Sequence, residues 1–171
     1  IMIDSKAFHT LSYGLYVISS VDDEGRQVGC VANTFTQIAS TPPLVSVSLN
    51  KDNATTRAIE HSKRYNVSVL SIEATMELIG CFGFKSSYDI DKFAEFDHVE
   101  CSRCIPYLGK YCVARFCVDV RETLDAATHT LFIGEVVESE VLTNDEPMTY
   151  SYYHEVLRGK TPPKAASFNP D

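Results

Sequence analysis

The clearest pattern along the chain is a period-two alternation of apolar and polar positions. Residues 11–21 form a long run of β-branched and aromatic side chains, closed by Asp22, Asp23, Glu24 and Gly25, with a second apolar stretch from Val28. This predicts a β-hairpin. A rigid Pro42-Pro43 corner then leads into residues 44–49, where Val45, Val47 and Leu49 share one face and Ser46 and Ser48 the other. Residues 65–70 read as a fourth strand. Residues 112–123 and 130–142 make a final pair; in the first, Ala114, Phe116 and Val118 alternate with Arg115, Cys117 and Asp119, which suits a wall with one buried and one solvated face.

Helical spacing is confined to short pieces. Asn53 is a candidate N-cap for a helix that follows it, Met76, Ile79 and Gly80 set a helical period in residues 73–82, and residues 91–96 suggest one more turn. Residues 86–110 are the least regular and are expected as a surface excursion near a binding mouth. Six strands in hairpin order, without strand–helix alternation, predict a closed antiparallel barrel with one or two covering helices. No linker divides the chain, so residues 1–171 are expected to form one domain. The tail from Gly159, punctuated by proline, is expected to lie over the surface or over a partner subunit.

Composition narrows the classes. A chain of 171 residues, 44% of them hydrophobic, fits a globular domain with a substantial core. No apolar span approaches the ~20 residues that cross a bilayer, and the N-terminus lacks a signal core, so a cytoplasmic protein with no membrane contact is expected. A net charge of -8, with no basic stripe, argues against a nucleic-acid partner. GxGxxG and P-loop motifs are absent.

Of the six cysteines, Cys30, Cys81, Cys112 and Cys117 sit among apolar neighbours and read as reduced core residues. Cys101 and Cys104 form a CxxC in a probable loop. One such pair supplies two of the four ligands of a structural metal site, so no metal is expected, and a redox role is the minor alternative.

Chemistry concentrates in residues 29–50. Asn33, Thr34, Thr36 and Gln37 follow directly on apolar Cys30, Val31 and Ala32, which places short donors and acceptors at the end of a barrel wall. Such a mouth suits a flat ligand rich in heteroatoms; the alternative is a polar strand end that faces water.

In their order, LSYGLYVISS, NTFTQIASTPPLVSVSLN, YNVSVLS, THTLFIGEV and YYHEVLRGKTPPKA resemble the flavin reductase-like family of FMN-binding split barrels, over nearly the whole chain. The resemblance implies a mainly β fold, a six-stranded antiparallel split β-barrel of Greek-key order, working as a homodimer with one FMN per subunit and NADH or NADPH as co-substrate. It implies that Asn33, Thr34, Phe35, Thr36 and Gln37 lie along the flavin and its ribityl chain. Ser48, Leu49, Asn50, Lys51, Asn53, Thr55 and Thr56 correspond to the phosphate side. His129 falls on the nicotinamide side, and Tyr152, Tyr153 and Lys160, with His154 and Arg158, fall in the tail that approaches the flavin across the dimer. The run Lys85-Ser86-Ser87 departs from the more basic family pattern, as does the loop that carries Cys101 and Cys104. The activity implied is electron transfer from NAD(P)H to flavin or a downstream acceptor. The alternatives are a flavoredoxin-type carrier served by a protein partner and a non-catalytic cofactor-binding barrel. A rubredoxin-like partner, if used, is a separate protein.

Overall fold

The computed structural model describes residues 1–168. Its main sheet contains β1 (Tyr16–Val21), β2 (Gln27–Ala32), β3 (Thr36–Ser40), β4 (Pro43–Asn50), β5 (Arg64–Leu70), β8 (Cys112–Ala126) and β9 (His129–Val141), and a two-stranded ribbon pairs β6 (Val99–Glu100) with β7 (Pro106–Tyr107). The helices are α1 (Ala54–Ser62), α2 (Met76–Phe84) and α3 (Tyr150–Glu155). Seven strands run in the order β2-β1-β5-β8-β9-β4-β3, and every pairing is antiparallel. The mainly β antiparallel fold with a few helices is the one expected.

Residues 33–35 alone connect the two end strands, β2 and β3, so the sheet must curl until its edges approach each other. Thr34 marks the approach: its hydroxyl donates to the Ser48 carbonyl of β4 at 2.8 Å. No ladder between β2 and β3 occurs among the described residues. Inside the curl, Ile18, Cys30, Val47, Tyr65, Val118 and Phe132 come from six strands into one buried cluster, closed by Ile59 of α1. As the alternation predicts, Val45, Val47 and Leu49 belong to that cluster together.

One element differs from expectation. β3 is an additional strand; all its residues are exposed or half-buried, because an edge strand needs no apolar alternation. Cys117, read from the sequence as a reduced core residue, is fully buried on the outer face of β8. The loop before β8 folds over that outer face and forms a second small core of Cys101, Ile105, Tyr107 and Cys117.

Polar strand residues fasten this loop. Ser19, Asn66 and Ser68 are fully buried on three neighbouring positions of β1 and β5. The Ser19 hydroxyl donates to the Pro106 carbonyl, Asn66 Nδ2 donates to Ile105 O at 2.9 Å, and the Leu108 amide donates to Ser68 Oγ at 3.0 Å. A loop can cross an apolar sheet only if its backbone groups are paired, and these three side chains do the pairing.

Lys92 plays the same part beside α2. Only 2% exposed, its ammonium donates to Gly29 O at 2.7 Å and to Phe82 O at 3.0 Å, over the Phe82 ring. Burial holds its pKa below the usual lysine value. This lysine ties β2 to α2. Replacing it with methionine leaves the Phe82 carbonyl without its donor and Gly29 O with the Ser87 hydroxyl at 3.2 Å, at a cost of roughly 1–3 kcal/mol. Urea denaturation should show that loss, and a Lys92→Met chain as stable as the parent would contradict the bonding described.

Candidate cofactor-binding site

A cleft of about 430 Å³ opens where β2, β4 and β9 end at the same rim. Its wall begins with Cys30, Val31 and Ala32 and continues into Asn33 and Thr34. Ser48, Leu49 and Asn50 close β4 on the opposite side, and His129 stands at the first position of β9. The strand register sets this meeting, since Asn50 and His129 are cross-strand partners.

The turn after β4 leads straight into α1. Asn50 anchors it, with its Oδ1 accepting the Asp52 amide at 2.9 Å and its backbone carbonyl accepting the Thr56 hydroxyl at 2.6 Å. Asn53 caps the helix by accepting the Thr55 amide at 2.9 Å, as the sequence predicts. Asp52 and Asn53 both line the cleft, so the positive end of the α1 dipole borders it. Thr55 and Thr56 lie below the surface, fully buried. Among the described residues the Thr55 hydroxyl has no hydrogen-bond partner, and it lies beside the Cys30 thiol, which burial pushes up in pKa.

Gly83, Phe84, Lys85 and Ser86, at the end of α2, supply the third wall. Lys85 adds a cation to a lining whose other charges are Asp52 and Lys164, paired with each other. The C-terminal segment from Pro162 to Ala166 forms a strap over the opening. Three contacts hold the strap down. Asn50 Nδ2 donates to Lys164 O at 3.0 Å, Lys164 Nζ pairs with Asp52 Oδ2 at 3.2 Å, and Asn33 Nδ2 donates to Ser167 Oγ. Beyond the strap lies a second hollow of about 770 Å³, which shares Ser48, Asn50, Asp52, His129 and the strap itself with the first.

The expected site residues therefore divide. Asn33, Thr34, Ser48, Leu49, Asn50, Asn53 and His129 meet at the cleft. Lys51 faces the outer hollow, where its ammonium pairs with Asp125. Tyr153 and Lys160 border a narrow gap of about 40 Å³ next to Asn33, and the Tyr153 hydroxyl donates to Lys160 O at 2.9 Å. Tyr152 packs on the outer apolar cluster. Phe35 turns inward, 5.3 Å from the Tyr16 ring and 5.7 Å from Phe116 between centroids. Thr36 and Gln37 are exposed on edge strand β3, and Gln37 borders a separate groove with Phe35. Sequence reasoning left Lys85 and Ser86 in doubt and gave the strap no site residue. Pro162-Pro163 was their only signal in the chain.

The donor set fits a flavin nucleotide. An apolar wall of Cys30, Val31, Ala32 and Leu49 suits a ring system, neutral amides and hydroxyls suit a polyol, and Lys85 with the α1 N-terminus suits a phosphate. Asp52, the carboxylate in the lining, is neutralised by Lys164.

Fold and cleft together define a cofactor-binding antiparallel β domain. The flavin reductase like domain matches residues 8–160, and the chain belongs to that family. It is 45% identical to a high molecular weight rubredoxin of Moorella thermoacetica, over 97% of this chain and 72% of that protein. It is 40% identical to a ferric-chelate reductase (NAD(P)H) of Archaeoglobus fulgidus, over 97% of this chain and 98% of that one. Among solved structures, an NADH:FAD oxidoreductase of Streptomyces globisporus C-1027 superposes with a TM-score of 0.76 at 23% identity, covering 87% of this chain and 92% of that chain, a likeness of fold. No helix among the described residues is long and apolar enough to cross a membrane.

Burial holds the His129 pKa below its ordinary value of 6.5, and the nearby Lys164 backbone partly opposes the shift. The unfolded chain thus binds this proton more readily, so stability falls as pH drops below about 6.5. Proton NMR of the imidazole should give a midpoint under 6.5. Chemical denaturation of His129→Gln should lose less stability than the parent between about pH 7 and pH 5; equal slopes would remove His129 as the source.

Proposed function

We propose that residues 1–171 form one FMN-binding domain that acts as an NAD(P)H-dependent flavin reductase, although positions 169–171 lie outside the described residues. The observation that carries this is the meeting of the β2, β4 and β9 ends with the α1 N-terminus and Lys85 around one cleft. Relatives named as flavin reductases and as an NAD(P)H ferric-chelate reductase support the same activity. FMN held there would supply the capacity to take up a hydride and to release electrons singly or in pairs.

The chain's own residues bind and orient. Asn33, Thr34, Ser48 and Asn50 offer neutral hydrogen-bonding groups to the polyol and ring edge, while Lys85, Ser86 and the α1 amides hold the phosphate. The strap covers the inner hollow and restricts water. His129, kept neutral by burial, faces the outer hollow and positions a nicotinamide there by hydrogen bonding. The other expected contacts, from Phe35, Thr36, Gln37, Lys51, Tyr152, Tyr153 and Lys160, belong to this proposal only through rearrangement or through a second subunit.

A homodimer is part of the proposal, as is a cytoplasmic setting, which six unpaired cysteines support. A second reading has a specific support. The 45% identity to a protein named rubredoxin, over 72% of its length, favours a rubredoxin-like protein as electron partner.

Freshly purified protein mixed with excess FMN and then desalted should be yellow, and anaerobic NADH or NADPH should bleach it within a turnover. Colourless protein rejects the cofactor; yellow protein bleached by a protein donor and not by either nicotinamide selects the carrier reading. Lys85→Ala should raise the FMN dissociation constant by about tenfold, roughly 1.4 kcal/mol, and leave riboflavin affinity unchanged. Equal weakening for both ligands would take Lys85 away from the phosphate.

A further inference from the structure

Far from the cleft residues in sequence, the outer face of the sheet gathers three metal-ligating groups from three elements. Cys101 follows β6, Cys117 lies in β8 and Glu138 in β9. Their ligand atoms all fall within 4.8 Å of one another, and the two sulfurs are 3.5 Å apart. Sheet register, rather than a mobile loop, sets part of this. Cys117 and Glu138 are cross-strand partners.

The loop contribution is also ordered by bonding. The Cys101 amide donates to Ile105 O at 3.0 Å, the Cys104 amide donates to Cys101 O at 2.9 Å, and the Arg103 amide donates to Cys101 Sγ at 3.4 Å. Cys104, three residues on in the same turn at φ 59°, is exposed, and its sulfur lies outside this cluster.

One observation within the cluster points to a ligand. Among the described residues Glu138 Oε2 is buried without a hydrogen bond; it forms a long ion pair with Arg115 Nη1 at 3.6 Å, which likewise makes no hydrogen bond. Arg115 instead directs its Nε to Glu140 at 3.1 Å and lies over the Tyr107 ring at 4.5 Å. A buried carboxylate oxygen without a hydrogen bond is costly, and beside two sulfurs it is placed to serve as the oxygen ligand of a soft metal site.

We propose that Cys101, Cys117 and Glu138 bind one zinc ion, and that the exposed Cys104 swings in from the same turn as fourth ligand. Three sulfurs and one oxygen suit tetrahedral zinc and disfavour magnesium or calcium. Four protein ligands leave no open position, so the ion is structural. It pins the loop between β6 and β7 to the outer face of β8 and β9, while Arg115 offsets the negative charge of the ligand set.

The test uses the reduced, FMN-loaded chain, stripped with a chelator and titrated with zinc against a chromophoric competitor. Elemental analysis should find about one zinc per chain, and cobalt in its place should give thiolate charge-transfer absorption. Cys117→Ser should abolish binding, and Glu138→Gln and Cys104→Ser should each weaken it by about tenfold or more, with the flavin spectrum unchanged. Cys104 is exposed, so its variant tests the site without threatening the core. Absence of stoichiometric zinc uptake, uptake that survives Cys117→Ser, an unchanged affinity in Cys104→Ser, or recovery of Cys101 and Cys117 as a disulfide would each overturn the site. None of these results depends on whether the cleft binds flavin.

Discussion

The ladder between β4 and β9 is the constraint on which the rest depends. Seven residue pairs, from Leu44 with Glu135 to Asn50 with His129, lock the two strands in one register. A slip by one residue would turn Val45, Val47 and Leu49 out of the core and expose three apolar side chains, so the register is strongly fixed. The same pairing sets Asn50 beside His129 at the rim. From there Thr56 fastens the Asn50 carbonyl to α1, and Thr34 fastens the Ser48 carbonyl to the end of β2. Packing of the interior thus determines where the polar groups converge.

Polar side chains inside the molecule serve mainly to hold irregular segments against regular ones. Ser19, Asn66 and Ser68 accept a loop on the outside of the sheet, and Lys92 joins β2 to α2. Asn33 and Asn50 hold the strap by the same means. These differ in depth. The first group is fully buried, whereas the strap is held partly at the surface by an ion pair whose two side chains are 69% and 71% exposed. Exposed pairs are worth little, about 0–1 kcal/mol, so the strap is the most easily lifted part of the site.

Much of this was legible in the chain. Period-two alternation marked the core strands, and Asn53 marked the start of α1, because both signals are local. β3 escaped notice because Thr36-Gln37-Ile38-Ala39-Ser40 has no buried face to betray it. Phe35 looked like a flavin platform, yet the free space lay inward, between Tyr16 and Phe116. The order of motifs carried the chemistry further than composition did. Positions that meet only through tertiary contact stayed invisible, among them Cys101 with Cys117 and Lys85 with the strap.

β8 is longer than the neighbour on one of its sides. Its ladder with β5 stops at Asp119, while its ladder with β9 continues to Ala126, so the last residues leave one row of main-chain groups unmatched. That margin carries Arg121, Glu122 and Asp125, all exposed. A foreign strand adding there would have to strip water from charged side chains, and the ribbon is thereby guarded against indiscriminate cross-β growth.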